Sequence, residues 1–271
     1  LEKVLEPQQS PDQAGFRPDF CTDDHLFTMA ILQETAREWQ IPLWTATLDF
    51  RKAFDTVSHN ALWAALEEQH VPRGYIGLLA QLYAQQTASV KTDVVSRPFA
   101  IQRGTKQGDP LSSLLFNCLS ESVFRKLNLK WSSRSCGLHL EPSSSRALTN
   151  LRFADDVILI GTSLPQLKGM LEEVVDEADK VGLKLHPDKT KILHNITHRK
   201  VKNDPEYVQV RTLAIEILPP SASQKYLGRK FSFHNPTSTE VENRIAQAWR
   251  KFHVLKNELT SKNYSLKARL R

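Results

Sequence analysis

The chain has 271 residues, 40% hydrophobic and 24% charged, with a formal net charge of +6. That length supports a sizeable core in one large domain or two small ones, and the composition is ordinary for a soluble globular protein. No run of about 18 apolar residues occurs, which excludes a membrane-spanning helix, and LEKVLEPQQSPDQAGF lacks the basic-then-apolar order of a signal peptide.

In chain order, IPLWTATLDF (41–50) reads as a buried strand carrying Asp49 at its C-terminal end. Ser58 predicts a cap for a helix to about Gln69, with Leu62, Ala65, Leu66 and Gln69 on one face. A second helix follows Pro72, lined by Ile76, Leu79, Ala80 and Tyr83. ASVKTDVV and SRPFAIQRG, within 88–104, read as the two strands of a hairpin. Pro110 opens a helix lined by Leu111, Leu114, Leu115, Cys118 and Leu119, and the Ser-rich stretch 132–148 reads as a surface loop.

RFADDVILIG (152–161) predicts two β-arms around an Ala-Asp-Asp turn. The clearest helix is 165–181, with Leu167, Met170, Leu171, Val174, Val175, Ala178 and Val181 on one face and Gly182 at the C-cap. KTKILH (189–194), VQVRTLAIEIL (208–218) and QKYLGRKFSF (224–233) supply further β-structure. Thr239-Glu240-Val241-Glu242 has the form of a capping box. It predicts a last helix with Val241, Ile245, Trp249, Phe252, Leu255 and Leu259 inward. Frequent hairpins without regular βαβ spacing favour an α+β fold around an antiparallel sheet.

Charge is unevenly spread: −6 over residues 1–90, +5 over 91–200 and +7 over 201–271. A basic C-terminal two-thirds suits a polyanionic partner. Cys21, Cys118 and Cys136 are odd in number and match no metal-ligand spacing, which points to a reduced, intracellular setting, nucleus or cytoplasm. His194 and His198 have an i, i+4 spacing that is weak as a metal site.

The chemistry concentrates on Asp49, Asp155 and Asp156, each of which ends or turns a β-element. Carboxylates beside a core are costly unless a counter-charge is present. Hard divalent cations such as Mg²⁺ take carboxylate oxygens, and two of them about 3.5–4 Å apart clamp the oxygens of a phosphoryl transfer. Taken alone, an Asp-Asp pair is better read as a plain polar turn.

The surrounding segments decide it. LDFRKAFDTV (48–57), RGTKQGDPLSSLLFN (103–117), RFADDVILIG, GLKLHPDKTKIL (182–193) and KYLG (225–228) resemble reverse-transcriptase motifs A to E, in that order. QAGFRPDFCTDDH (13–25) resembles the preceding fingers motif. The wording is closest to the reverse transcriptases of non-LTR (LINE-type) retrotransposons, and group II intron maturases share much of it.

The resemblance implies a polymerase right-hand fold: an antiparallel-sheet palm with helices on one face, partial fingers and the start of an α-helical thumb. It divides the chain into fingers and palm at 1–235, with fingers at about 1–40 and 60–102, and a thumb beginning at 236–271. It implies two Mg²⁺ ions, with Mn²⁺ as a substitute, held by Asp49, Asp155, Asp156 and the backbone carbonyl of Phe50. Asp155 would be the main ligand of the pair.

Phe54 matches the aromatic gate against the 2′-OH, with a plain core phenylalanine as its other reading. Gln107 and Gly108 match the turn that contacts nucleotide and template. Lys189, with Lys191 in competition, would assist the pyrophosphate leaving group; either also reads as a surface lysine. Tyr226, Leu227 and Gly228 match the primer grip, although Tyr and Leu read equally as core. Arg17 would hold triphosphate or pair with the acids that follow it. Arg244, Arg250 and Lys251 would meet the duplex backbone.

Implied partners are an RNA template, a DNA primer or nicked target DNA, dNTPs and the missing parts of a parent polyprotein. A chain that starts with Leu reads as a fragment. The family's Ser-Pro pair is here Ser112-Ser113. The rival readings are a catalytically inactive or domesticated RNA-binding relative and a metal-dependent nuclease or phosphatase.

Overall fold

In the computed structural model, which describes residues 1–106, 108–140, 146–196, 206–261, 263, 265 and 267, a central strand organises the molecule. The chain opens with α1 (Glu2–Leu5), a 3-10 turn, α2 (Thr22–Glu38) and that strand, β1 (Trp44–Leu48). Then come α3 (Ala53–Thr56), α4 (His59–Glu68), α5 (Arg73–Ala84), β2 (Thr87–Ala88), β3 (Phe99–Ala100) and α6 (Pro110–Ser133). The second half holds β4 (Asn150–Phe153), β5 (Asp156–Gly161), α7 (Leu164–Lys180) and β6 (Lys191–His194). It continues with β7 (Glu206–Val210), β8 (Leu213–Ile217), β9 (Gln224–Tyr226), β10 (Arg229–Phe231) and α8 (Pro236–Leu259).

The main sheet runs β4-β5-β1-β6-β8-β7. Its pairs are antiparallel except β6 with β8, which is parallel. β1 is almost wholly buried, with Trp44, Ala46 and Leu48 on one face and Thr45 and the half-buried Thr47 on the other. Alternation along the strands sends Trp44, Ala46, Leu48, Val157 and Leu159 into the larger core, with α4, α6 and α7. Ile158 and Ile160 face the other way, onto Met29, Leu32 and Ala36 of α2 and onto Tyr226. The expected helical layer is therefore present, and α2 with the β9–β10 hairpin covers part of the opposite face.

α7 ends as its sequence predicts. Leu183 N–H donates to Ala178 O at 2.9 Å and Gly182 N–H to Asp179 O at 3.1 Å, the paired bonds of a Schellman cap. Gly182 sits at φ +89°, and a Cβ there would lie 2.5 Å from Thr56 O, so the cap also lets α7 press against α3.

Several expectations are corrected. The 88–104 hairpin has a short ladder, Thr87–Ala88 with Phe99–Ala100 and then an isolated Lys91–Val95 bridge, because Val90, Val94, Val95 and Phe99 are exposed and no packed face rewards a longer one. α6 runs to Ser133, into the stretch read as loop, because Trp131 is fully buried and hydrogen-bonds Glu173 of α7. Residues 141–145 of that stretch lie outside the described residues. α8 begins at Pro236, a turn before the expected box, with proline at the first helical position. Its apolar face is not inward: Val241, Ile245 and Trp249 are 52%, 53% and 58% exposed.

Candidate active site

The site is set by the β1–β5 ladder. Leu48 pairs with Val157, so the next step places Asp49 opposite Asp156, both on the face shared with Thr47 and Ile158. β4 pairs Phe153 with Asp156, leaving Ala154 and Asp155 as the turn between the arms. Asp155 is half-buried and Asp156 exposed at the mouth.

Burial lifts the Asp155 carboxyl above the ordinary range, and nearby Asp49 adds to the rise. Although Asp156 as a whole is open to solvent, crowding of its carboxyl by the surrounding chain lifts it too, reinforced by Asp155 and Asp49 and opposed by Lys225. Asp155 and Asp156 therefore both feel Asp49 across the two strands, and the surroundings of these two penalise the negative form. Hard oxygen donors in that condition suit a hard divalent cation. As placed, no group of three or more His, Cys, Asp or Glu among the described residues converges closely enough to hold one. Asp49 instead meets Lys189, whose Nζ lies 3.4 Å from Oδ1. Lys191, the competing candidate, is engaged by Glu216.

The loop 183–190 wraps the end of β1. His186 N–H donates to Asp49 O at 2.8 Å and Arg51 N–H to Lys184 O at 2.8 Å, which sets Phe50 in an isolated bridge with Leu185. The Phe50 side chain lies in the core.

The Ala-Asp-Asp turn has supports that sequence reasoning missed. Ala154 adopts φ +58°. That left-handed conformation costs a non-glycine residue about 1–2 kcal/mol. The buried Gln13 side chain accepts from Gly15 N–H at 2.9 Å and Ala154 N–H at 3.1 Å. Beside it, Arg152 N–H donates to Asp12 O and Ala14 N–H to Arg152 O, at 2.7 and 2.9 Å. Arg152 itself is fully buried, with Nη2 on Glu121 at 2.8 Å and its guanidinium over the Phe124 ring. The QAGF wording was the one signal that pointed here, and it carried no contact.

Phe54 is half-buried and stacked on Phe116 with ring centroids 4.6 Å apart. It also lines a cavity of about 720 Å³ with Phe16, Arg17, Gly108, Asp109 and Leu114. The ring is thus partly core, and the cavity it lines includes none of Asp49, Asp155 and Asp156 in its wall. The segment before α6 is fixed to the first motif by Gly104 N–H on Val57 O (2.8 Å) and Thr105 N–H on Phe54 O (2.6 Å). Gly108 stands at φ +88° and Asp109 caps α6 by accepting from Leu111 N–H, so Ser113 in place of proline leaves the helix start intact. Gln107 lies outside the described residues.

Arg17 is corrected. Its guanidinium, 9% exposed, pairs with Glu6 at 2.7 Å, donates to Ser10 O and Gln13 O, and lies over Phe20. Those partners consume the donors a triphosphate would need, and none is an acid of the DFCTDD run. Asp24 caps α2 and Asp23 meets Arg229.

In the grip segment, Leu227 (φ +45°) and Gly228 (φ +81°) form the two-residue turn between β9 and β10, the double positive φ of a type I′ hairpin. Tyr226 is core, its hydroxyl 3.3 Å from His25 Nδ1, and burial pushes the His25 pKa down to about 4. His194 is buried against Trp44, and His198 lies outside the described residues.

Acidic side chains set opposite each other on two adjacent strands, with a lysine beside one of them, fit a nucleotidyl-transfer palm. The comparisons specify it. The reverse transcriptase (RNA-dependent DNA polymerase) family model matches residues 1–231, and the chain belongs to that family. A relative is the Pol polyprotein of the type-2 retrotransposable element R2DM of Drosophila melanogaster, 32% identical over 66% of this chain and 16% of its own length. Another is the R2 Pol polyprotein of Bradysia coprophila, 27% identical over 82% of this chain and 25% of its length. The chain thus spans a quarter or less of those two polyproteins. Among solved structures, apo telomerase from Candida tropicalis superposes with TM-score 0.58 at 15% identity, covering 86% of this chain and 42% of that one. The right-hand polymerase fold and the non-LTR type of reverse transcriptase, as read from the motifs, both stand.

Proposed function

We propose that this chain is the polymerising core of a retrotransposon reverse transcriptase, extending a primer 3′-OH with dNTPs on an RNA template. The observation that carries it is the β1–β5 register, which sets Asp49 opposite Asp156 with Asp155 at the turn. Asp49, Asp155, Asp156 and the Phe50 carbonyl would hold two Mg²⁺ ions, or Mn²⁺ in their place. The bound metals supply charge neutralisation at the phosphoryl oxygens. The chain's own residues position and screen. Lys189, already beside Asp49, stands where it can offset charge on, or protonate, the departing pyrophosphate. The Phe54 ring, stacked on Phe116, would be the gate against a 2′-OH. Gln107 and Gly108 would form the turn over nucleotide and template. Leu227 and Gly228 would grip the primer, with Tyr226 anchoring that hairpin from the core.

Residues 1–235 would form fingers and palm, with fingers at about 1–40 and 60–102, and 236–271 would begin the thumb. Arg250 and Lys251 on exposed α8 would meet duplex phosphates, and Arg244 would do so by leaving Glu240, which it pairs with at 2.7 Å. RNA template, DNA primer or nicked target, and the rest of a polyprotein are the partners this reading requires. The test is Mg²⁺-dependent extension of a primed RNA template. The parent chain is expected to extend with dNTPs and not rNTPs, and Asp155→Asn to abolish extension while keeping the fold. Full extension by Asp155→Asn sinks the ligand assignment, and rNTP preference sinks the Phe54 gate.

A further inference from the structure

We infer that Gln13 is a positioning residue for this site: its side-chain carbonyl holds Ala154 in the left-handed conformation and so aims Asp155 and Asp156. The inference rests on the polymerase reading above. Gln13 is 0% exposed, and its Oε1 takes two backbone N–H groups from different loops, Gly15 and Ala154. Its Nε2 reaches no protein acceptor, so the side chain serves through its oxygen. A buried backbone N–H must be paired, and alanine does not hold positive φ unaided.

The clamp is built to close tolerance. A Cβ on Gly15 would lie 2.4 Å from Ala154 N, so only glycine lets the two loops meet. Asn117 Nδ2 donates to Gly15 O at 2.7 Å, tying the clamp to the helix that follows the Gly108 turn. Gln13 also forms an isolated parallel bridge with Arg152, two residues before Ala154. The N-terminal segment, the Gly108 helix and the Ala-Asp-Asp turn are thereby one hydrogen-bonded unit. Without the acceptor, Ala154 relaxes toward negative φ and both following carboxylates turn with it.

The test compares the parent chain, Gln13→Met (similar length, no acceptor) and Gln13→Met/Ala154→Gly. Each is measured for single-nucleotide extension rate, primer–template KM and the Mg²⁺ concentration at half-maximal rate, with melting as a fold control. Gln13→Met is expected to lower kcat by about 5–30-fold, the equivalent of the turn's strain. It should also raise the Mg²⁺ midpoint, with KM unchanged. Adding Ala154→Gly is expected to restore most of the rate, because glycine holds positive φ without help. A single variant within about twofold of the parent in kcat and Mg²⁺ midpoint overturns the role. So does a loss that glycine leaves in place, including failure of both variants to fold. No extension by the parent chain is a different result, overturning the polymerase reading and the positioning role with it.

Discussion

Glu121→Ala is the perturbation whose cost the structure defines most sharply. Glu121 and Arg152 meet at 2.8 Å with side chains 4% and 0% exposed. Arg152 Nε and Nη1 reach no protein acceptor, so Glu121 supplies the guanidinium's carboxylate and Phe124 its aromatic face. Removing the acid strands a buried positive charge, at about 3–5 kcal/mol. With a melting entropy of about 2.1 cal/mol/K per residue, the midpoint falls by about 5–9 °C. Thermal unfolding followed by far-UV circular dichroism reads this directly. The double change Glu121→Leu/Arg152→Met should regain most of the loss, since an apolar pair of similar volume carries no desolvated charge. A single-variant fall below about 2 °C refutes the premise. So does a double variant as unstable as the two single losses combined.

Other outcomes follow from the site. Because the Asp156 pKa is raised in the fold, stability falls as pH rises from the unfolded value through the folded one, and the full cost of the ionised form is present above it. Asp156→Asn should therefore raise the metal-free melting point at pH 8 while abolishing extension, and a lower melting point refutes the sign. Lys189→Met should slow single-turnover extension by about 10²-fold or more. Lys191→Met, which loses only the Glu216 pair, should leave the rate near that of the parent; equal effects of the two would remove Lys189 from the reaction. Phe54→Val should cut dNTP-over-rNTP discrimination by about tenfold or more in competition assays, and unchanged discrimination excludes the gate.

The readable parts of the sequence were those fixed by local rules. β1 and the Ala-Asp-Asp hairpin lie where their apolar runs place them, and α7 ends on its glycine. Three kinds of feature escaped. Partners distant in sequence did, since nothing in RFADD shows that Arg152 pairs with Glu121 or that Gln13 clamps Ala154. Competing short-range partners did as well: Arg17 found Glu6 upstream and not the acids downstream, because the loop folds back onto α1. The direction of an amphipathic face also escaped. The spacing of Val241, Ile245 and Trp249 shows that α8 has an apolar stripe, and packing alone decides whether anything covers it.

The sheet order carries a consequence in time. β1 is flanked by β5 and β6, both made more than a hundred residues later. At ribosomal rates Asp49 waits about 5–20 s for Asp156 to be synthesised. Through that interval an apolar strand with two open edges has no partner within its own chain, the condition under which strands find foreign ones. Synthesis must shelter β1 until the Ala-Asp-Asp hairpin arrives, and the same event that closes its edge brings the carboxylates together.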